Sequence, residues 1–374
     1  MDDLAVEIIK TVGNHTITLL GRWKKLQHGE TVEVERVREP RWPGGRRTYE
    51  GDRPMKAAVV REVGQDPVYG EFEEPVLREG EVRVAVTASA LTNFTKVRAT
   101  GRHFSVAPRP PFVVGIDGIG RMDDGCRVYF LFPRAPFGGM AERTVVASAQ
   151  CIPVPDTVDD VTLAALADPG MSSWVALETR AELVPGETVL VNGATGTAGR
   201  VALQVARHLG AERVIATGRD RAVLDSLIAQ GADAIIPLTD DPGRLTAALR
   251  EEFERGVDVV LDYLWGPPAQ SLLAATNARK SRSPLRFVQI GSAAGAELAL
   301  PGSVLKATDL RILGSGIGNV AVGDIMRIIG KLMQAAATTE FFLDVQTHPL
   351  SRIGELWPAA SVTPRTVFTV EAPA

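Results

Sequence analysis

The stretch TVLVNGATGTAGRVALQVARHLG, Thr188–Gly210, decides the fold. Val189, Leu190 and Val191 form a short continuous apolar run, the pattern of a strand buried on both faces. Asn192 and Gly193 end that run. Gly196 and Gly199 follow, and Val201, Ala202, Val205, Ala206 and Leu209 then recur at helical spacing. The segment reads as strand, tight glycine turn and helix. Such a turn lets the backbone approach a pyrophosphate closely, and the helix N-terminus directs free N–H groups and the positive end of its dipole at that anion. Three glycines alone are a weak signal; the strand before them and the helix after them supply the context that gives the pattern meaning. Asn192, Gly193, Thr195, Gly196, Thr197, Ala198 and Gly199 are the cofactor-binding residues this reading expects. The alternative is a tight packing turn with no ligand.

Working outward, Glu212–Thr217 reads as the next strand. At its end an NAD-binding fold carries an acidic residue, which holds the ribose hydroxyls and repels a 2′-phosphate. Here Gly218 and Arg219 occupy that place. Glycine leaves room and arginine can pair with the phosphate, so NADPH is the expected cofactor. The alternatives are that Arg219 is a solvated residue at a helix start, or that Asp220 turns back toward a ribose.

From Glu212 to Val320 strand and helix patterns alternate. Helices are expected at Ala222–Ala229, Leu245–Glu254 and Pro268–Ala275. Strands are expected at Ala234–Ile236, Val257–Leu261, Leu285–Ile290 and Leu310–Leu313. This is a doubly wound parallel sheet, whose ligand lies beyond the carboxyl ends of its strands. Gly291, Gly314 and Ser315, which end the later strands, join the expected cofactor site. Asp324–Ala337 is a further amphipathic helix.

The chain has 374 residues, enough for two domains. Hydrophobic residues make up 45% and charged residues 23%, an ordinary globular balance. The net charge of −4 gives no reason to expect nucleic acid. No apolar run approaches the roughly 18 residues of a membrane span. The acidic start MDDLAVEIIK lacks the basic region of a signal peptide, and Cys126 and Cys151 are the only cysteines; both point to a cytoplasmic protein.

Residues 55–155 read as mostly β, with strands at Ala57–Arg61, Glu81–Ala88, Gly125–Phe130 and Glu142–Ala147. From Val158 to Glu178 the pattern is helical, with a break expected at Pro169-Gly170 and a second helix beyond it. Phe342–Thr347 and Arg365–Val370 read as strands that return to the β-rich region. Residues 1–54 stand apart: short strands at Val6–Thr11, Thr16–Leu20 and Thr31–Val37 precede an Arg-, Pro- and Gly-rich linker. Met55 reads as an alternative start, since Glu50-Gly51-Asp52 can be encoded with a ribosome-binding-like GGAGA upstream of it.

These pieces together resemble the medium-chain dehydrogenase/reductase superfamily, in its zinc-independent quinone oxidoreductase branch. The resemblance covers Met55–Val370. Its marks are MKAAVV at 55–60, SALTNFTKVRATG at 89–101, GIDGIG at 115–120, FGGMAE at 137–142 and LVPGETVLVNGATGTAG at 183–199. It implies an α/β protein: a GroES-like β-rich catalytic domain (55–168 and 321–374) interrupted by a doubly wound Rossmann NADP-binding domain (169–320), with 1–54 as an extension. It also implies homodimers that pair edge strands of the nucleotide-binding sheets, with Leu310–Leu313 as the candidate edge.

Zinc-dependent relatives have a histidine where Ile116 stands. Their cysteine ligands would fall in SALTNFT and near Asp168-Pro169, where this chain has none. Zinc takes about four N, S or O ligands, and these positions do not supply them, so no metal is expected. Without a metal, hydride transfer favours acceptors already activated by conjugation, quinones and α,β-unsaturated carbonyls, with the protein stabilising charge on oxygen and supplying a proton. The expected substrate is therefore such a small molecule, and Asn93, Thr95 and His103 are the candidate catalytic donors. Phe94, Phe104, Phe137 and Trp174 are candidate walls of an apolar pocket. Two other readings stay open: reduction of enoyl thioesters, and a non-catalytic NADPH-binding structural or sensor protein.

Overall fold

The computed structural model describes residues 5–12, 15–22, 54–100, 109–281, 283–359 and 363–371. The chain divides into two compact units, Met1–Asp52 and Arg53–Ala374. In the first, Ala5–Val12 and His15–Arg22 pair as an antiparallel hairpin over the two expected strands. The expected strand Thr31–Val37 and the linker lie outside the described residues.

The second unit holds a six-stranded parallel sheet of Thr188–Asn192, Arg213–Gly218, Ala234–Pro237, Val259–Asp262, Leu285–Gln289 and Leu310–Gly314. Across the sheet these run third, second, first, fourth, fifth, sixth. The order reverses beside the first strand, which opens a crevice at its carboxyl end. Val189, Leu190 and Val191 are fully buried, as a strand with helices on both faces must be. The helix after it, Thr197–His208, buries Val201, Ala202, Val205 and Ala206. Arg207 and His208 lie in its last turn, where cations suit the dipole, and Gly210 supplies the left-handed backbone (φ 91°) that stops it.

The β-rich part is a seven-stranded mixed sheet ordered Cys151–Pro153, Arg127–Leu131, Asp117–Met122, Glu81–Ala90, Arg365–Thr369 and Val345–Pro349, with Arg143–Ala147 also paired to Glu81–Ala90. A three-stranded sheet of Val68–Phe72, Met55–Val60 and Phe112–Val113 adjoins it in sequence. The strand Asp117–Met122 escaped the sequence pattern because it contains Gly118 and Gly120. A Cβ on Gly120 would stand 2.3 Å from the Ala85 carbonyl oxygen, so the neighbouring strand passes too close for any side chain. A helix was also missed: Asn93–Ala99, which Thr92 caps by accepting the Thr95 N–H at 2.8 Å.

The expected helix break at Pro169-Gly170 is not there. One helix runs Asp160–Trp174 through Pro169, and a π-helical segment, Val175–Arg180, continues it. Proline removes one intrahelical hydrogen bond. Burial overrides that cost here: Leu163–Ala167 and Pro169–Met171 are all buried, and the Ser172 and Ser173 hydroxyls bond the Pro169 carbonyl at 3.1 and 2.6 Å. Gly170 lets the helix Val322–Ala336 press close, for a Cβ there would stand 2.6 Å from Leu332 Cδ2. The helix Asp160–Trp174 also packs on Thr197–His208 and on four strands of the mixed sheet, Glu81–Ala90, Asp117–Met122, Arg365–Thr369 and Val345–Pro349. A single apolar cluster accordingly joins Ala88, Ile119 and Val367 to Val189, Val201 and Ile329.

Candidate functional site at the carboxyl ends of the parallel strands

The glycine turn is built from three glycines with three different reasons. Gly193 has φ 92°, a conformation L-residues rarely adopt, and Leu264 sits 2.9 Å from where its Cβ would be. Gly199 is forced by packing: a Cβ would stand 2.4 Å from the Gly193 carbonyl oxygen and 2.6 Å from Ala194 Cα. Gly196 has neither reason. Its φ of −80° and ψ of 162° suit any residue, and the nearest atom to its absent Cβ is 3.7 Å away. It is the N-cap of Thr197–His208 and has no side-chain cap. The chain's own packing leaves the space over Gly196 open, at a helix end that attracts anions.

A buried polar chain fixes this turn. The Asn192 amide donates to Asp262 Oδ1 at 2.8 Å and accepts from the Thr217 hydroxyl at 2.7 Å. Thr217 Oγ1 in turn accepts the Gly193 N–H at 3.2 Å. Asp262 also receives the backbone N–H groups of Leu264 and Trp265. These bonds tie the ends of three adjacent strands together and hold Trp265 at a strained φ of 54°. Burial pushes the Asp262 carboxyl upward, and its hydrogen bonds from Leu264, Asn192 and Trp265 pull the other way. Thr217 and Asp262 were invisible as partners in the sequence, being 25 and 70 residues from Asn192.

At the second strand, the room expected beside Gly218 is already filled. A Cβ there would stand 2.2 Å from Thr195 Cγ2, so Gly218 is glycine because Thr195 lies against it. No residue with a carboxylate could stand at 218 without moving Thr195. Asp220 is engaged as the cap of Arg221–Ser226, accepting the Val223 N–H at 3.1 Å. Arg219 is exposed at the end of the strand, and among the described residues no hydrogen bond or ion pair holds its guanidinium.

Thr197 N–H donates to Thr363 Oγ1 at 3.2 Å, and the two hydroxyls lie 2.9 Å apart. Thr363 comes from the chain just before the strand Arg365–Thr369, and no sequence signal marked it. Ala198 is half-exposed in the first helical turn. Gly291 lies against the Tyr263 carbonyl, 2.6 Å from its absent Cβ. Ser315 is buried, and its N–H donates to the Gln289 carbonyl at 2.8 Å. Asn319 closes the loop after Gly314 by donating to the Gly314 carbonyl and accepting the Gly316 N–H.

A cavity of about 280 Å³ opens beside these strand ends. Phe94, Met171, Val175, Ile290 and Ile325 give it apolar walls; Asp168, Ser172 and Ser315 are its polar groups. Behind Ser172, the buried Tyr263 hydroxyl meets Ser173 Oγ at 2.9 Å, and burial pushes the phenol up to about 12. Of the candidate donors, Asn93 is exposed at the start of its helix, and Thr95 is buried, sharing a hydrogen bond with Thr92 at 3.0 Å. Neither lines this cavity. His103 lies outside the described residues, as does Phe104. Phe137 stacks edge-on against Phe72 in another cluster, and Trp174 packs on His208, so of the described aromatic candidates only Phe94 reaches the cavity. Among the described residues no cluster of His, Cys, Asp and Glu could hold a metal ion, and no helix is long and apolar enough to cross a membrane.

A family model described as zinc-binding dehydrogenase matches residues 198–334. The chain is 27% identical over 333 residues to a protein named "Probable NADPH-dependent quinone reductase tdiC" from Emericella nidulans, covering 78% of this chain and 92% of that one. It superposes on the quinone oxidoreductase of Thermus thermophilus, solved also with NADPH, with a TM-score of 0.70 and 26% identity, over 84% of this chain and all of the other. The crystal structure of AibC matches with a TM-score of 0.74 at 20% identity over 85% of this chain and 96% of that one, a likeness of fold. The family match, the relative and the superposed structure support the medium-chain dehydrogenase/reductase superfamily, quinone oxidoreductase-like branch, and the architecture is consistent with a GroES-like β-rich domain and a Rossmann domain.

Proposed function

We propose that this protein is an NADPH-dependent oxidoreductase that reduces quinones or other α,β-unsaturated carbonyls by hydride transfer. The observation that carries the reading is Gly196: a glycine that neither backbone angle nor packing requires, left open at the N-terminus of Thr197–His208. Phosphate approaching there meets the helix N–H groups and no side chain. The names of the relatives in Emericella nidulans and Thermus thermophilus agree with this reading.

Gly193, Thr195, Gly196, Thr197, Ala198 and Gly199 hold the pyrophosphate side of the cofactor in this proposal, with Asn192 as the anchor of the turn. Gly218 and Arg219 meet the 2′-phosphate end, and Gly291, Gly314 and Ser315 the end nearest the cavity. NADPH supplies a hydride, and the cofactor rather than the protein carries that chemistry. The apolar walls exclude water and favour a flat, conjugated acceptor, while Asp168, Ser172 and Ser315 are the groups able to meet its oxygen. Asn93, Thr95 and His103 remain proposed contributors, which a closed, substrate-bound form would have to bring in. Residues 55–168 and 321–374 form the catalytic domain and 169–320 the NADP-binding domain in this assignment. We place the protein in the cytoplasm, without nucleic-acid partners, as a homodimer that pairs the exposed edge strand Leu310–Gly314.

The test is steady-state NADPH oxidation against a panel of quinones, enones and enoyl thioesters. Turnover with quinones or enones is expected. Turnover confined to thioesters would move the function to that class, and tight NADPH binding without turnover on any acceptor would refute an enzymatic role.

A further inference from the structure

We propose that Asp168, held in place by Arg365, sorts the acceptors that enter the cavity by charge: it favours conjugated carbonyl compounds carrying a hydroxyl or ammonium group and rejects those carrying a carboxylate. This rests on the hydride-transfer reading above and names the substrate class within it.

The cavity takes one face of the helix Asp160–Trp174 and of the π-helical segment that continues it. Asp168, Met171, Ser172 and Val175 all line it, spaced as a single helical stripe. The remaining walls are mostly apolar, and among the described residues Asp168 is the one charged group that lines the cavity. Its partner stands behind it. Arg365, at the start of the last strand, donates from Nη2 to Asp168 Oδ2 at 3.2 Å. The Arg365 side chain is 4% exposed and that of Asp168 28%, so a substrate meets the carboxylate and not the guanidinium. The bond through Oδ2 is the carboxylate's one hydrogen bond among the described residues, which leaves Oδ1 able to accept from a ligand.

The pair is a poor device for stability. Taking a guanidinium out of water is costly, and Arg365 Nε is buried without a partner among the described residues. Well-packed apolar residues of similar size would serve the core as well. What the pair does supply is a negative charge held still on an otherwise apolar wall.

That charge selects. An ionised carboxylate accepts hydrogen bonds and cannot donate them, whereas the hydroxyls of Ser172 and Ser315 can do both. A hydroxyl or ammonium group on the substrate replaces the water that Asp168 loses when the cavity fills. A substrate carboxylate replaces nothing and is repelled, more strongly than in bulk water because the surroundings are apolar. With the Arg365 charge offsetting part of this field, ammonium- and carboxylate-bearing acceptors should differ by about 100-fold in kcat/KM. Asp168 is then a specificity-determining residue, and Arg365 is the positioning residue that fixes it.

The test uses naphthoquinones that differ only in an ethyl side chain ending in ammonium, hydroxyl or carboxylate, with NADPH and the full chain. Wild-type kcat/KM should fall in that order, and the spread should narrow as salt rises. Asp168→Asn should bring the three within about threefold or favour the carboxylate, because it leaves Arg365 unopposed. Should that variant fail to fold, Asp168→Asn combined with Arg365→Gln removes both charges and should level the three. Arg365→Lys, which keeps the ion pair, should keep the order. Naphthalenes with the same side chains, which no hydride can reduce, are titrated into each protein by calorimetry and should bind in the same order. Wild type that treats ammonium and carboxylate alike in both assays overturns the proposal, as does an Asp168→Asn protein that keeps the wild-type spread. If no quinone is reduced but the naphthalenes bind in the expected order, the hydride-transfer reading falls and the charge selection by Asp168 stands.

Discussion

Gly196 and Gly199 lie three residues apart in one turn, and the structure assigns them opposite sensitivities. A methyl at 199 would stand 2.4 Å from the Gly193 oxygen and 2.6 Å from Ala194 Cα, both backbone atoms that cannot swing aside. Overpacking of this kind costs about 1–3 kcal/mol. A methyl at 196 meets nothing nearer than 3.7 Å. Alanine is a poorer N-cap than glycine by up to about 1 kcal/mol, and the stiffer unfolded chain returns about 0.4–1 kcal/mol, so the net effect on stability is close to zero. For the cofactor the order reverses. The methyl at 196 occupies the space through which phosphate reaches the helix N–H groups, and losing one charge-assisted bond of about 1.5–3 kcal/mol weakens NADPH roughly 10- to 150-fold. Thermal melts of both Ala variants, paired with calorimetric NADPH titrations, read the two effects separately. Gly199→Ala should melt several degrees lower. Gly196→Ala should melt within about two degrees of wild type and bind NADPH at least tenfold more weakly. Wild-type affinity in Gly196→Ala would falsify the claim that phosphate passes over this residue.

Three further expectations follow from other parts of the molecule. Arg219→Ala should weaken NADPH roughly 10- to 150-fold and NADH little, with the NADPH preference shrinking as salt rises; equal losses for both cofactors would make Arg219 a structural residue only. Because Asp117 is raised to about 7 when folded, the native state holds a proton that the unfolded chain releases, and wild-type stability should fall as pH rises from about 4 to about 7 and then level. Asp117→Asn should lack that slope, so its melting temperature relative to wild type should climb over the same range; parallel pH curves would exclude Asp117 as the group responsible. A chain starting at Met55, whose side chain is fully buried in the strand Met55–Val60, should fold and bind NADPH like the full chain, which circular dichroism and titration would check.

The parallel sheet was legible because each of its strands is local: a short apolar run, in most of them with a glycine or an acid at its end. The six strands stand where the alternation put them, within one or two residues. The turn was legible for the same reason, since strand, glycines and helix are contiguous. What stayed hidden was set by distant neighbours. Gly218 looked like vacant space from sequence, and only the fold shows Thr195 filling it. Pro169 looked like a helix end, because sequence does not reveal that it lies in a helix with Leu163–Ala167 and Gly170-Met171 buried on either side of it. The Asp168–Arg365 pair spans 197 residues, and no local pattern connects an acid in the middle of a helix with an arginine at the start of the last strand. The donors chosen from the loop at 92–103 were picked by their chemistry, and chemistry does not say which way a side chain faces.

The unbroken helix Asp160–Trp174 bears on how this protein could be taken apart. It packs on the helix of the glycine turn and on four strands of the mixed sheet. A nucleotide-binding module excised at residue 169 would begin halfway along it, stripping Leu163–Ala167 from the surface they cover and exposing Val201 and Val205 beneath. Recombination that swaps catalytic modules between relatives would do better to carry the whole helix with either parent and place the joint in the loop before Asp159. The glycine turn and the mixed sheet would then inherit one shared support rather than two mismatched halves.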